Sequence, residues 1–386
     1  MDLNNILGVV LAGGKSQRFG QDKSQVKLQD KLLIDYILNE IVNEYNEILI
    51  IANENIKFMQ SKKISITKLS ESPNRQELEK DFLARIQNNT DNFLWQHYAF
   101  LADALVLDIP ANTVLEDPLQ IQVIQSHSEK QIAASFPKVI LKLGKNAQAK
   151  IVVNQNIYGN IYVNRSLDVF LEENAHLELV RLQNGSAESL ELNHFYIDQK
   201  ANSNLKLKSC YLGSKMMRNS TEAHLRASGA EIDIQGVSVL NDSLQAHNHL
   251  EIYHHAPHSF SNQEFAHAAL DKGQISFDGT VVIQEGASGS NSEQLIKNLI
   301  LSPDVKMSGK PNLKIYNDDV KCAHGNTCGQ LDEAEIFYLQ SRGFSRKQAE
   351  DTLTKAFVEH LIQEIPFPKI RESIDAKMLD RLHVGG

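Results

Sequence analysis

Cysteine is scarce in this sequence, and other features that would mark a special class of protein are missing as well. Its 386 residues contain only Cys210, Cys322 and Cys328, which do not make a disulfide framework. No run reaches the roughly 18 apolar residues that a membrane-spanning helix needs. The first five residues lack the basic region and apolar core of a signal peptide. We therefore expect a cytoplasmic protein with reduced thiols and no membrane contact.

An excess of basic residues is also lacking. The chain has 39 Lys and Arg against 48 Asp and Glu, a net charge of −9. This balance argues against a nucleic-acid partner, because such proteins bind by neutralising phosphates. The 42% hydrophobic content is sufficient for a substantial core.

The chain changes character several times along its length. Residues 6–12 and 47–52 are apolar runs with a helical pattern between them, which predicts one βαβ unit. Residues 57–103 are polar with one predicted helix. Residues 104–316 contain more than ten short, often alternating apolar runs, which indicate an all-β body. On pattern alone a β-sandwich, a jelly roll and an irregular parallel β-helix all remain open.

The last 60 residues are predicted to be helical. Apolar residues recur at helical spacing through 332–342 and 345–363. Gly343 stands where a helix C-cap is expected. Ser345 followed by Gln348 fits a capping box that opens the second helix. A further short helix is expected at 370–382.

A glycine-containing segment after the first apolar run is the first candidate site. It reads Leu11-Ala12-Gly13-Gly14-Lys15-Ser16-Gln17-Arg18-Phe19-Gly20-Gln21-Asp22-Lys23, and its glycines would let backbone N–H groups approach a phosphate. Over residues 6–55 it resembles the opening of the MobA nucleotidyltransferases. The resemblance implies that a guanine nucleotide, GTP with Mg²⁺, contacts Leu11, Ala12 and Gly13, with Lys23 on its phosphates. The family's metal-binding aspartate is only faintly matched by Asp108. Two strands cannot build an open nucleotide-binding sheet, so we expect a fragment whose activity is uncertain.

A histidine-rich stretch is the second candidate site. Alternation in a strand would place His247 and His249 on one face, which makes a bidentate metal site geometrically feasible. Nothing nearby supplies the combination of acid ligands and an open position that a catalytic metal centre needs, so a structural role is favoured. The other histidines of the stretch are His254, His255, His258 and His267.

The third candidate site is the pair Cys322 and His324, two residues apart and on one face if the chain is extended. A thiolate and an imidazole there could bind a soft metal or an iron–sulfur unit. The alternative is a structural strand end with a buried cysteine. Asp318 and Asp319 are plausible partners for the second ring nitrogen of His324.

Several separated motifs stand in the second half of the chain. The closing ones are Asp319-Val320-Lys321-Cys322-x-His324-Gly325, Gly329-Gln330-Leu331-Asp332 and Phe337-Tyr338-Leu339-x-Ser341-Arg342-Gly343. Upstream stand His255-Ala256-Pro257, Ser261-Asn262-Gln263-Glu264, Phe277-Asp278-Gly279 and Asn298-Leu299-Ile300-Leu301-Ser302. In order and spacing these motifs resemble the SufB/SufD family over about residues 95–386, and the SufD side fits better because the chain is short.

The resemblance implies a mainly β protein. Its body is a right-handed parallel β-helix with flanking α-helices, preceded by the partial α/β segment. We expect a MobA-like segment over 1–56, a linker and helical segment over 57–103, a β-helix core over 104–320 and a C-terminal helical region over 321–386.

The resemblance also implies a function. The chain is expected to be a SufD-like scaffold in a SufBCD complex, pairing with SufB through the β-helix and docking the SufC ATPase on its C-terminal helices. His324 would face SufB groups and support a transient iron–sulfur cluster shared with SufB, with Cys322 beside it at the interface. ATP hydrolysis belongs to SufC, so the body should not be an enzyme. The alternatives are a working guanylyltransferase at the N-terminus and a structural interaction module in which His324 ligates nothing.

Overall fold

The computed structural model describes residues 11–12, 27–28, 31–32, 48–52, 64–116, 118–127 and 132–383. Most of these residues lie in two large sheets. The first sheet contains, in spatial order, β1 (Leu11–Ala12), β4 (Ile48–Ala52), β7 (Leu119–His127), β10 (Gln148–Gly159), β12 (His176–Asn184), β14 (Asn204–Tyr211), β16 (Glu231–Leu240), β18 (Phe260–Ala269), β20 (Ser290–Ile300) and β22 (Val320–Gly329). The second contains β5 (Ser65–Lys68), β6 (Leu105–Ile109), β9 (Lys138–Leu143), β11 (Ile161–Leu171), β13 (Leu190–Gln199), β15 (Met216–Leu225), β17 (Gln245–His254), β19 (Gln274–Ile283) and β21 (Lys306–Ile315). Strand β8 (Ala133–Ser135) pairs with β11, and β2 (Lys27–Leu28) pairs with β3 (Lys31–Leu32).

From β9 onward the long strands alternate between the two sheets, and each is parallel to the next strand of its own sheet. This is a parallel β-solenoid of about seven turns. The β-helix that the family resemblance implied is confirmed, and the β-sandwich and jelly roll are excluded. The register shows why no sequence period was visible. Gln148 pairs with His176, 28 residues later, whereas Leu190 pairs with Met216 after 26 and Phe260 with Asn291 after 31.

The solenoid interior is built by alternation along each strand, as the sequence predicted. In β12, Leu177 and Leu179 face the interior between the sheets, while His176 and Glu178 face outward. Aromatic side chains from opposite sheets meet near the C-terminal turns, where the rings of Phe265 and Phe277 lie 4.6 Å apart. The interior is therefore a packed core and not an open channel.

Asparagines in the left-handed conformation form one corner of the solenoid. Asn112, Asn146, Asn174 and Asn202 have φ between 53° and 59°, a region that asparagine tolerates better than most residues. The side-chain amide of Asn146 donates to Asn112 Oδ1 at 2.8 Å, and that of Asn174 donates to Asn146 Oδ1 at 3.0 Å. This ladder links successive turns and accounts for the regular asparagine punctuation of the sequence.

Within the described residues, two helices precede the long strands of the solenoid, α1 (Arg75–Asn88) and α2 (Asn92–Phe100), and both pack on the outer face of the second sheet. An ion-pair network joins α1 to the sheet. Arg85 Nη2 donates to Asp168 Oδ2 at 2.6 Å, and Lys138 Nζ donates to the same oxygen at 2.7 Å. Residues from three distant segments therefore meet under α1.

Three helices follow the solenoid, α3 (Glu333–Ser341), α4 (Arg346–Gln363) and α5 (Pro368–His383). The predicted capping box is confirmed, because the Ser345 hydroxyl accepts from the Gln348 N–H and the Gln348 side chain accepts from the Ser345 N–H. Gly343 has φ 96°, as expected for a C-cap glycine. Helices α4 and α5 cover an apolar outer face of the first sheet. Their buried contacts come from Val358, Leu361, Ile362, Ile374, Met378 and Leu382.

The solenoid extends beyond the boundaries expected from sequence. Strand β22 continues to Gly329, past the boundary expected at 320, and carries the candidate site within it. At the other end, β5 lies within the expected linker and pairs antiparallel with β6.

The described part of the N-terminal segment differs from the predicted βαβ arrangement. A βαβ unit has parallel strands, whereas Leu11 and Ala12 pair antiparallel with β4, and β4 pairs antiparallel with β7. Gly13 and Lys23 lie outside the described residues. Asp108 belongs to the second sheet, whereas Leu11 and Ala12 belong to the first.

Candidate functional site

The predicted pair Cys322 and His324 lies on the last strand of the first sheet. In β22 these side chains share the inner face, because Cys322 packs against the solenoid core and His324 follows it by two residues. Within the described chain, β22 pairs with β20 on one side and has no strand on the other. Both residues therefore stand at the C-terminal end of the solenoid, where the interior meets the surface.

The two side chains differ in exposure. Cys322 is half-buried and His324 is exposed. Burial raises the pKa of the Cys322 thiol, and a backbone hydrogen bond from Ser292 opposes that shift, leaving the pKa above its ordinary value. The thiol is therefore predominantly protonated at neutral pH and would need a metal or a basic partner to become a thiolate. Cys328 is exposed, whereas Cys210 is buried and its pKa is raised to about 12 by burial.

The aspartates expected to fix the His324 ring do not contact it. Within the described residues, no hydrogen bond joins His324 to Asp318 or Asp319. Asp319 lies five residues away along an extended strand, which corresponds to about 16 Å. The register instead places Gln294 beside His324 and Ser292 beside Cys322, both on the neighbouring strand β20.

A buried hydrogen-bonded chain lies beneath Cys322, and sequence reasoning missed it. All of its side chains are buried in the solenoid: the ring of His254 and the hydroxyls of Ser259, Ser261 and Ser292. His254 Nε2 lies 2.9 Å from Ser261 Oγ, and Ser261 Oγ donates to Ser292 Oγ at 2.9 Å. Burial lowers the pKa of His254 to about 4, so its ring is neutral at physiological pH. Ser261 and Ser292, which lie one turn apart, could have signalled this column only if the turn lengths had been known.

The rest of the histidine-rich stretch does not form a metal centre. His247 and His249 lie on one outer face of β17, as alternation predicted, whereas His254 and His267 point into the solenoid. His247 Nδ1 lies 2.8 Å from Ser276 Oγ, an ordinary structural contact. Among the residues that the structure describes, no group of three or more His, Cys, Asp or Glu side chains is arranged to hold a metal ion.

The fold and this strand-end pair define a β-solenoid protein with a half-exposed Cys-x-His motif at its C-terminal end. A model of the SUF system FeS cluster assembly SufBD core domain matches residues 123–357, which include the motif. Because this match covers more than half of the chain, the chain belongs to the SufBD family. A second model, the MobA-like NTP transferase domain, matches residues 8–91.

Curated relatives carry the same family names. The chain is 28% identical over 304 residues to the iron-sulfur cluster assembly SufBD family protein slr0076 of Synechocystis, covering 75% of this chain and 66% of that protein. It is 28% identical over 282 residues to the chloroplastic protein ABCI7 of Arabidopsis thaliana, covering 70% and 58%. It is 25% identical over 272 residues to the iron-sulfur cluster assembly protein SufD of Escherichia coli, covering 69% and 64%. The matched region thus spans less than two thirds of each relative. None of the described helices is long and apolar enough to cross a membrane.

Proposed function

We propose that this chain is a non-catalytic, SufD-like scaffold of a cytoplasmic SufBCD-type complex, and that His324 and Cys322 contribute to a transient iron–sulfur cluster shared with a SufB-like partner. The observation that carries the proposal is the position of these two side chains at the exposed end of the solenoid. An iron–sulfur unit needs about four protein ligands. His324 would supply one of these ligands, Cys322 would stand beside it at the interface, and the remaining ligands would come from the partner.

The ends of both sheets support pairing with another solenoid. Strands β21 and β22 are the last strands of their sheets within the described residues, so each presents N–H and C=O groups along one edge. A partner strand could continue either sheet by hydrogen bonding to that edge. Ile315 and Tyr316, which end β21 and follow it, are exposed and would add apolar contact.

Helix α3 is the surface that we propose for docking a SufC-like ATPase. The apolar face of α4 and α5 is occupied by the first sheet, so it is not free to bind a partner. Phe337 and Tyr338 of α3 are 71% and 57% exposed. Deleting the helices would uncover the apolar sheet face, and point substitutions on α3 are therefore the better test.

Replacing Phe337 and Tyr338 with alanine should weaken SufC association by at least about tenfold and leave the stability of the chain within about 0.5 kcal/mol, because both rings are exposed. Calorimetric titration with the SufC-like protein measures the first effect, and urea unfolding the second. Tyr158→Ala removes a comparably exposed ring from another surface and should not change binding. Unchanged SufC affinity in the double variant would show that α3 is not the docking surface.

Replacing His324 with alanine should preserve folding and SufB association but reduce iron and sulfide per reconstituted complex several-fold. The reason is that His324 is exposed and makes no hydrogen bond within the described chain, so its loss removes a ligand and little packing. Iron and acid-labile sulfide are measured per purified complex. His249→Ala, at a partly exposed histidine on another strand, is the control. Cys322→Ser should affect SufB pairing more than cluster loading, because Cys322 packs at the end of the core.

Two outcomes would support the interaction-module alternative. Normal cluster loading in His324→Ala would remove the ligand role, and a stability loss with normal loading would give the residue a structural role.

The family match over residues 8–91 favours a second candidate function, nucleotide binding by Leu11, Ala12, Gly13 and Lys23. Mg²⁺-dependent GTP binding that is lost in Lys23→Ala would establish it.

A further inference from the structure

A cleft of about 1050 Å³ lies between the N-terminal helices and the outer face of the second sheet. Its floor is formed by outward-facing residues of β11, β13, β15 and β17, and its other wall by α1 and the connection to α2. This volume is at the upper end of the range for small-molecule sites. The cleft lies on the outside of the solenoid and shares no lining residue with the Cys322 and His324 site.

Two carboxylates stand side by side on the cleft floor. Glu222 of β15 and Glu251 of β17 are register neighbours on parallel strands, and like charges in such positions repel each other. Each has a hydrogen-bonded neighbour, and His249 Nε2 also lies 4.0 Å from Glu251 Oε1. His224 Nε2 lies 2.7 Å from Glu222 Oε1, and the Tyr253 hydroxyl donates to Glu251 Oε2 at 3.2 Å. The pair is thus a place where an added cation would relieve repulsion.

The arginines of the cleft are already engaged by other carboxylates. Arg218 Nη1 donates to Asp91 at 2.7 Å, and Arg226 Nε donates to Asp198 at 2.8 Å. The lining carries three arginines and five carboxylates, so its formal charge is 3 − 5 = −2 with histidines neutral. The carboxylates are Asp81, Asp91, Asp168, Glu222 and Glu251, and the arginines are Arg85, Arg218 and Arg226.

Unpartnered polar atoms lie on the same floor. His194 is only 7% exposed, and its Nε2 has no hydrogen-bond partner in the described part of the chain. Ser220 is its register neighbour on β15, and the buried Ser220 hydroxyl also has no hydrogen-bond partner among the described residues. Buried polar atoms of this kind are ordinarily satisfied by a ligand or by water. The rings of Tyr196 and Tyr253 also line the cleft. The Arg85 guanidinium already lies 3.8 Å from the centroid of the Tyr196 ring, and the Tyr253 ring stacks on His224 with centroids 4.9 Å apart.

We propose that this cleft binds a small organic cation, an amine or guanidinium compound whose N–H groups are shared by Glu222, Glu251 and His194. The excess of carboxylates and the engagement of the arginines by other carboxylates both favour a positively charged ligand. A bare metal ion fits less well, because the cleft, like the rest of the described chain, lacks three ligating side chains in suitable positions.

The test is calorimetric titration of the full chain with spermidine and, separately, with agmatine at 150 mM salt. We expect saturable binding of at least one probe with a stoichiometry near one. Glu222→Gln combined with Glu251→Gln should weaken that binding by at least about tenfold. Glu178→Gln combined with Glu293→Gln is the matched control, because it makes the same charge change on the outer face of the first sheet. This control matters since the chain carries a net charge of −9 and could attract polyamines without a site.

A second variant keeps the test decisive if the floor substitutions disturb folding. Thr90→Arg places a cation on an exposed residue at the cleft wall and should also weaken binding, without removing any floor contact. Equal weakening in the floor variant and its charge-matched control would show non-specific attraction and overturn the proposal. Absence of saturable binding by both probes would overturn it as well.

Discussion

Replacing Asp168 with alanine is expected to destabilise the protein by about 3–5 kcal/mol, the range for breaking a buried ion pair. The side chains of Asp168 and Lys138 are 1% and 0% exposed, and both Lys138 and Arg85 donate to the same carboxylate oxygen. Without Asp168, two cations would remain under α1 with much of their compensation removed. The network connects α1 to two strands of the second sheet, so its loss should loosen the helix from the solenoid. Urea unfolding at neutral pH measures the change in free energy.

An exposed ion pair of the same length provides the control. Lys145 and Glu173 are separated by 2.7 Å, but both side chains are about half exposed, so Glu173→Ala should cost less than about 1 kcal/mol. Burial raises the pKa of Asp168, while Arg85 and Lys138 lower it, and the net pKa is below the ordinary value. This contribution is present above the unfolded-state pKa of about 3.9 and is lost only as the pH falls below it. A small, equal loss in both variants at neutral pH would contradict a buried network.

Alternation along the strands was readable from sequence because it depends only on neighbouring residues. It placed Cys322 and His324 on one face and did the same for His247 and His249. It could not show which face of a strand is inside, and so could not distinguish His254, which is buried, from His249, which is partly exposed on the outer face. Which face of a strand is buried depends on which strands stack against one another, and this stacking is a property of the whole chain.

Which residues stack depends on the number of residues in each solenoid turn, and this number varies along the chain. The contacts between neighbouring turns could therefore not be predicted from the sequence. The position of Gln294 beside His324 requires a step of 30 residues, whereas other turns have 26 or 28. The network of Arg85, Lys138 and Asp168 likewise joins three segments whose proximity no local pattern reveals. The family resemblance supplied the β-helix because the motifs are specific, and it could not supply the local contacts.

Acid is expected to unfold this protein well above the range in which carboxylates protonate, because four buried histidines must remain neutral in the folded state. Burial lowers the pKa of His97 and His267 to about 3 and of His194 and His254 to about 4. In the unfolded chain each would have a pKa of about 6.5. Between pH 6.5 and about 4 the unfolded state therefore binds more protons, so stability falls as the pH falls.

The size of this effect can be set against the stability of an ordinary domain. At pH 5 each histidine lowers the free energy of unfolding by about 2 kcal/mol relative to neutral pH, since the pH lies 1.5 units below the unfolded pKa. Four such groups together approach the 5–15 kcal/mol that is typical of a folded protein. We expect unfolding near pH 5, measured by urea titrations at pH 7.5, 6.0 and 5.0.

His267 is the residue that isolates the cause. It is fully buried beside Phe265, and neither ring nitrogen has a hydrogen-bond partner in the described chain. His267→Met keeps a side chain of similar size and removes two unsatisfied polar atoms, so stability at pH 7.5 should stay equal or rise by about 1 kcal/mol. The loss of stability between pH 7.5 and 5.0 should become smaller by about 2 kcal/mol. His249→Met, at a partly exposed position on the outer face, should leave that loss unchanged. If His267→Met and His249→Met both lose stability with the wild-type pH dependence, the His267 ring binds its proton equally well in the folded and unfolded states. Acid sensitivity must then come from other groups.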